Sequence, residues 1–202
     1  MVFLYELMCW LHFSELEFQI RNGADVFIRQ LFICFDHHSE LVYSLTLIFI
    51  CIMIIYFNRN VVNKGGLKLS FLLLMLLESV VWCVIFILLM GLSEKILLSI
   101  MGRNIMPEQF YLSIGAGIWE ELLFRVGVMG LINYVINYIL GYNQLFAIII
   151  AILGSAILFS IFHYVGELGE VFTYKNFYVR IFAGITLSTL YIFRGFGITA
   201  YT

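Results

Sequence analysis

Apolar residues run through this chain in long blocks, at 41–57, 69–92, 145–165 and 177–193, parted by short polar links. Each is close to the roughly 20 residues that cross a hydrocarbon core as a helix. A further block, 111–139, is long enough but carries Glu120, Glu121 and Arg125. All are expected to be helices, because lipid offers no partner to an open strand edge. Gly195 and Gly197 then read as a turn, and 196–202 as the first turns of one more helix. A stub of that length cannot span about 30 Å of hydrocarbon, so the native protein is expected to continue past Thr202. Residues 1–40 have a different pattern. Leu4, Leu7, Met8 and Leu11 keep helical spacing, but polar residues interrupt the rest. One or two amphipathic helices lying in the interface are expected there, with a helix packed on the side of the bundle as the alternative. The fold class is all-α: a polytopic transmembrane helical bundle over 41–202 with an amphipathic N-terminal helical region over 1–40.

Composition supports lipid as the solvent. The chain is 63% hydrophobic and 12% charged, against about 25% charged in soluble domains. A net charge of −2 argues against a nucleic-acid partner. Cys9, Cys34, Cys51 and Cys83 lack metal-ligand spacing and read as small apolar fillers rather than a disulfide framework. The N-terminal forty residues, broken by Glu6, His12, Glu15, Glu17, Arg21 and Asp25, do not have the form of a signal peptide. The link 58–68 holds Arg59, Lys64 and Lys68 and no acid, which places it in the cytoplasm and the N-terminus outside.

The informative stretch is Gly117-Ile118-Trp119-Glu120-Glu121-Leu122-Leu123-Phe124-Arg125. Three ionisable side chains near mid-membrane cost together about 8–10 kcal/mol, more than the about 4–8 kcal/mol its apolar residues return. This helix therefore needs partners inside a bundle. Glu121 and Arg125 are four apart with the acid first, the favourable order for an ion pair. Glu120 lies about 100° further round, on a face with Ser113, Ala116, Gly117, Phe124 and Gly127. Small residues admit a neighbouring helix closely. Glu121 thus reads as neutralised, and Glu120 as a carboxylate free to act as general base or acid. A purely structural ion cluster is the competing reading, at even odds or better for Glu121 and Arg125.

The following helix ends in Phe159-Ser160-Ile161-Phe162-His163, with the single histidine outside the N-terminal region. A neutral imidazole passes a proton or orients a water. Alone, such a histidine is more often an interfacial residue; beside Glu120 on the adjoining antiparallel helix, the functional reading leads. Phe159 is core first and a wall of the site second. Counted along the runs, Glu120 and His163 are offset by on the order of 10 Å, which tilt or a deeper helix start must close. Glu78 is a further intramembrane carboxylate, expected to pair with Arg125 or Arg180. Glu167 and Glu170 fall in a link where solvated charge is expected.

Glu120-Glu121-x-x-x-Arg125 resembles the EExxxR motif of the CAAX prenyl endopeptidase family, which includes the Ras-converting endopeptidase and the bacterial Abi-like, bacteriocin-processing relatives together called CPBP. Phe159-x-x-x-His163 resembles its FxxxH motif, in the same order and on successive membrane helices. The resemblance covers 111–202, the protease-like core of the bundle. It implies that Glu120 and His163 activate the water that attacks a peptide carbonyl, with Glu121, Arg125 and Phe159 supporting the site. In the family a later helix adds a histidine followed four residues on by Asn or Asp. Gly195–Thr202 resembles only the lead-in to that motif, so the core reads as truncated at its C-terminal end.

The leading function is therefore an intramembrane endopeptidase of the bilayer, acting on a lipidated CAAX-like protein or a leader peptide, with bacteriocin self-immunity as one setting. No cofactor is expected. A divalent metal such as zinc, on Glu120, Glu121 and His163, is the alternative, disfavoured because zinc sites offer three ligands in close geometry and Glu121 is engaged by Arg125. A proton or ion carrier, or a noncatalytic membrane partner keeping the fold, are the competing functions. The lean toward Phe, Ile, Asn and Lys points to an AT-rich bacterial genome and a multi-pass protein of the bacterial cell membrane.

Overall fold

A computed structural model describes residues 5–8, 21–32, 39–57, 69–91, 112–166 and 169–202. The orienting link 58–68, Cys9, Cys34 and Glu167 lie outside the described residues. Among the described residues, six helices of eight residues or more follow one another: α1 (Gly23–Gln30), α2 (Ser39–Phe57), α3 (Leu69–Gly91), α4 (Leu112–Ile139), α5 (Gln144–Phe162) and α6 (Tyr174–Tyr201). Among the described residues there is no strand. Stretches in α3, α4, α5 and α6 are long and apolar enough to cross a membrane, and α2, with 19 residues, sits where the first apolar block was expected. The outer face of α3 is bare hydrocarbon: Phe71 is 69% exposed and Leu88 64% exposed. Side chains of that kind face lipid, not water.

Local signals set the ends of the helices. Gly141 has φ 72°, a left-handed turn that closes α4. Asn143 then caps α5, its side chain accepting from the Phe146 N–H at 2.8 Å. Thr173 caps α6 in the same way. Within α6, Gly195 sits at φ 79°, ψ 174°, a backbone region essentially restricted to glycine. The chain breaks there and starts a fresh turn through Ile198, Thr199 and Ala200, all buried. The expected turn before 196–202 is thus present.

The bundle closes through small residues. Ser155 of α5 donates to the Phe124 carbonyl of α4 at 2.7 Å. Phe124 also meets Phe159 and Phe162, with ring centroids 5.3 and 5.4 Å apart. The last turn of α5 therefore lies beside the turn of α4 that follows Glu120, a register that run lengths alone did not supply. On the other side of α5, a Cβ at Gly184 of α6 would stand 2.9 Å from the Ala156 Cα. That contact is with backbone, which cannot swing aside. Gly184→Ala is expected to cost about 1–3 kcal/mol through overpacking, read as a lowered Tm in detergent; an unchanged Tm would show that α5 and α6 slide freely.

Tyr5, Ala24 and Tyr43 form one buried cluster with Ile118 and Trp119 of α4, so α1 is packed on the bundle. Glu78 corrects an expectation. Its carboxylate pairs with Arg194 of α6 and accepts from Trp82 Nε1 at 3.2 Å, not with Arg125 or Arg180. Arg180 instead binds Glu170 at 2.6 Å, so Glu170 is not a merely solvated charge. Cys83 is a free, half-buried thiol.

Candidate active site

The charged helix α4 is wound more widely than an α-helix. Ala116–Glu120 and Leu122–Met129 are π-helical. Such i→i+5 segments are rare and concentrate at functional sites. The wider winding leaves Glu121 and Arg125 on one face, with Arg125 Nε 3.0 Å from Glu121 Oε2. Arg125 is fully buried and Glu121 4% exposed. The Arg125 N–H groups are not aimed along hydrogen-bond directions and have no other acceptor among the described residues. The guanidinium is held by charge attraction and by the face of Phe159, 4.8 Å from its ring centroid. The expected pairing of Glu121 with Arg125 is present, and Phe159 adds to it.

Glu120 points elsewhere. It borders a cavity of about 360 Å³ with Glu121, Phe159, Phe86, Leu187, Gly117 and the terminal turn Thr199–Thr202. Gly117 explains how that turn comes so near: a Cβ there would be 2.7 Å from the Ala200 carbonyl oxygen. Among the described residues, the polar contact of the Glu120 carboxylate is with Asn22, whose Nδ2 donates to Oε1 at 3.0 Å. Asn22 is a residue that sequence reasoning missed. Its contact spans 98 positions, and no local periodicity links the two.

His163 caps α5 at its C-terminus. Its Nδ1 lies 2.9 Å from the Phe159 carbonyl oxygen. A carbonyl only accepts, so Nδ1 carries a proton; in the neutral ring Nε2 then keeps its lone pair, the tautomer needed to take a proton. His163 is not among the residues bordering the Glu120 cavity. Phe159 links the two, since its carbonyl orients His163 while its ring walls the cavity and meets the His163 ring in a T-shaped contact at 4.9 Å. Among the described residues no three His, Cys, Asp or Glu side chains group as a metal site. With Glu121 turned to Arg125, the donor set Glu120, Glu121 and His163 does not fit a three-ligand zinc centre.

A match to the sequence model of the Rce1-like type II CAAX prenyl endopeptidases extends over residues 77–200. The chain belongs to this family. The matched region takes in α4, α5 and most of α3 and α6, and with them both motifs. Membership in the Rce1-like family and four apolar helices make the protein an integral membrane protein. Neither the curated proteins nor the solved structures contain a match. α1, α2 and Asn22 lie outside the Rce1-like region.

Proposed function

We propose that this protein is an intramembrane endopeptidase in which Glu120 and His163 activate a water against a peptide carbonyl, without a metal. The observation that carries the reading is the division of labour between adjacent glutamates. Both glutamates line a cavity walled also by Phe86, Phe159 and Leu187, but Glu121 is committed to Arg125 and Glu120 is turned to Asn22. Apolar walls of that kind limit the groups that compete with the carboxylate for a bound water.

The steps balance on these two side chains. Glu120 takes a proton from water as its oxygen adds to the scissile carbonyl carbon. The C–N bond then breaks, and the departing amine receives a proton through Glu120 or His163. A second cavity, of about 370 Å³, adjoins the first through Phe86, Leu187 and Thr202 and is lined by Trp82, Leu89, Leu190 and Phe193. An apolar hollow of that kind beside the carboxylate supports a prenylated, CAAX-like substrate over a leader peptide. The carrier reading is disfavoured because Glu78 and Glu121 are each held by an arginine, so the intramembrane carboxylates do not line up as a relay.

The full chain reconstituted in liposomes and given quenched CAAX peptides, farnesylated and unmodified, tests this. The expected result is cleavage on the C-terminal side of the prenylated cysteine, faster for the farnesylated peptide. Proton or ion flux without cleavage would overturn it.

A further inference from the structure

We infer that Asn22 is a positioning residue for Glu120, so that the N-terminal segment outside the Rce1-like region forms part of the reaction centre. The inference rests on the reading of Glu120 as the general base. Asn22 Nδ2 donates to Glu120 Oε1 at 3.0 Å. The orientation of the amide is fixed by its other end, because Oδ1 accepts from the Ala24 N–H at 2.9 Å. Turning the amide over would set two oxygens against each other at Glu120 and two N–H groups against each other at Ala24. One side chain thus caps α1 and holds a carboxylate of α4.

Asn22 is itself anchored. Its main-chain N–H donates to Tyr5 Oη at 3.1 Å, and Tyr5 donates on to Asp25 Oδ2 at 3.1 Å. Asp25 is fully buried and also accepts from Tyr43 at 3.0 Å, Arg21 at 3.0 Å and Arg29 at 2.9 Å. Glu6 closes the far side on Arg29 at 2.8 Å and Arg21 at 3.2 Å. A buried network with this many partners resists displacement. The segment also fits closely against α4. A Cβ on Gly115 would lie 2.5 Å from the Tyr5 ring and 3.1 Å from Asn22 Cβ, so the bare Cα admits both.

The chemistry follows from which oxygen is taken. Oε1 accepts from Asn22 whether Glu120 is ionised or protonated, because the carbonyl oxygen of a carboxyl group still accepts. The exchangeable proton is therefore confined to Oε2, and the carboxylate is held in one rotamer for the approaching water. Asn22 is neutral and adds no charge. The charged groups around Glu120 are Glu121 and Arg125 on α4, with Arg21, Asp25, Arg29 and Glu6 behind Asn22; His163 ends α5.

An N-cap role alone would explain Oδ1 and leave the Glu120 contact idle, which two variants of the full chain separate. Asn22→Ser keeps a capping oxygen and loses the donor to Glu120. It is expected to lower kcat about 10–100-fold, within the range of misplaced catalytic groups, with KM unchanged. Asn22→Asp keeps cap and size but sets a second carboxylate against Glu120, and is expected to lower kcat at least as far. The protonated-carboxyl infrared band that Glu120→Gln removes gives a readout independent of turnover, and its frequency should rise in Asn22→Ser as the hydrogen bond to Oε1 is lost. Wild-type kcat in the serine variant, or a Glu120 band of unchanged frequency there, would overturn the inference. A Glu120→Gln protein that still cleaves would overturn the general-base reading instead, and the infrared band would still decide the Asn22 contact.

Discussion

Glu120→Gln should fold as the wild type does and lose cleavage. The substitution is isosteric, and the new amide oxygen can still accept from Asn22 Nδ2, the polar contact this side chain makes among the described residues. No ion pair is broken, because the arginine of this helix is turned to Glu121. What disappears is the capacity to take a proton from water. General-base catalysis is worth about 10²–10⁴-fold, so kcat/KM on the farnesylated peptide should fall by at least that range's lower end. Tm in detergent should stay within about 2 °C, since surface-like changes without lost packing move stability little. Residual activity within a fewfold of wild type would remove Glu120 from the chemistry.

Much of this arrangement was legible in the sequence. The apolar blocks anticipate α2 to α6 because lipid allows one secondary structure and one length scale. The pairing of Glu121 with Arg125 follows from spacing alone, as residues four apart stay neighbours even where α4 winds as a π-helix. The break at Gly195 was visible because its backbone conformation is one that other residues avoid. Contacts that depend on how helices sit beside one another were not legible. Glu78 was expected to meet Arg125 or Arg180 and meets Arg194, since hydropathy says how long a helix is and not which turn faces which. Asn22 is the larger omission. A polar residue in an amphipathic segment reads as solvated until the tertiary fold sets it against a membrane helix, and Gly115 alone gives no sign that it makes room for Tyr5.

The two glutamates should part company under substitution. Glu121→Gln is expected to cost about 3–5 kcal/mol, because it strands a charge inside the bundle. Arg125 is fully buried, has no hydrogen-bond acceptor among the described residues and is held chiefly by the Glu121 charge and the Phe159 ring, with a lesser attraction to Glu120. In a chain of 202 residues, each kcal/mol moves Tm by about 2–4 °C, so the loss should be on the order of 10 °C in detergent. Removing the stranded charge as well, in Glu121→Gln with Arg125→Met, should restore part of that stability, as apolar replacements of buried pairs commonly do. Protein of the single variant that remains folded should cleave far better than Glu120→Gln, because the Glu120 carboxylate is still there. A Glu121→Gln protein as stable as wild type but inactive would reverse the two roles and make Glu121 the base.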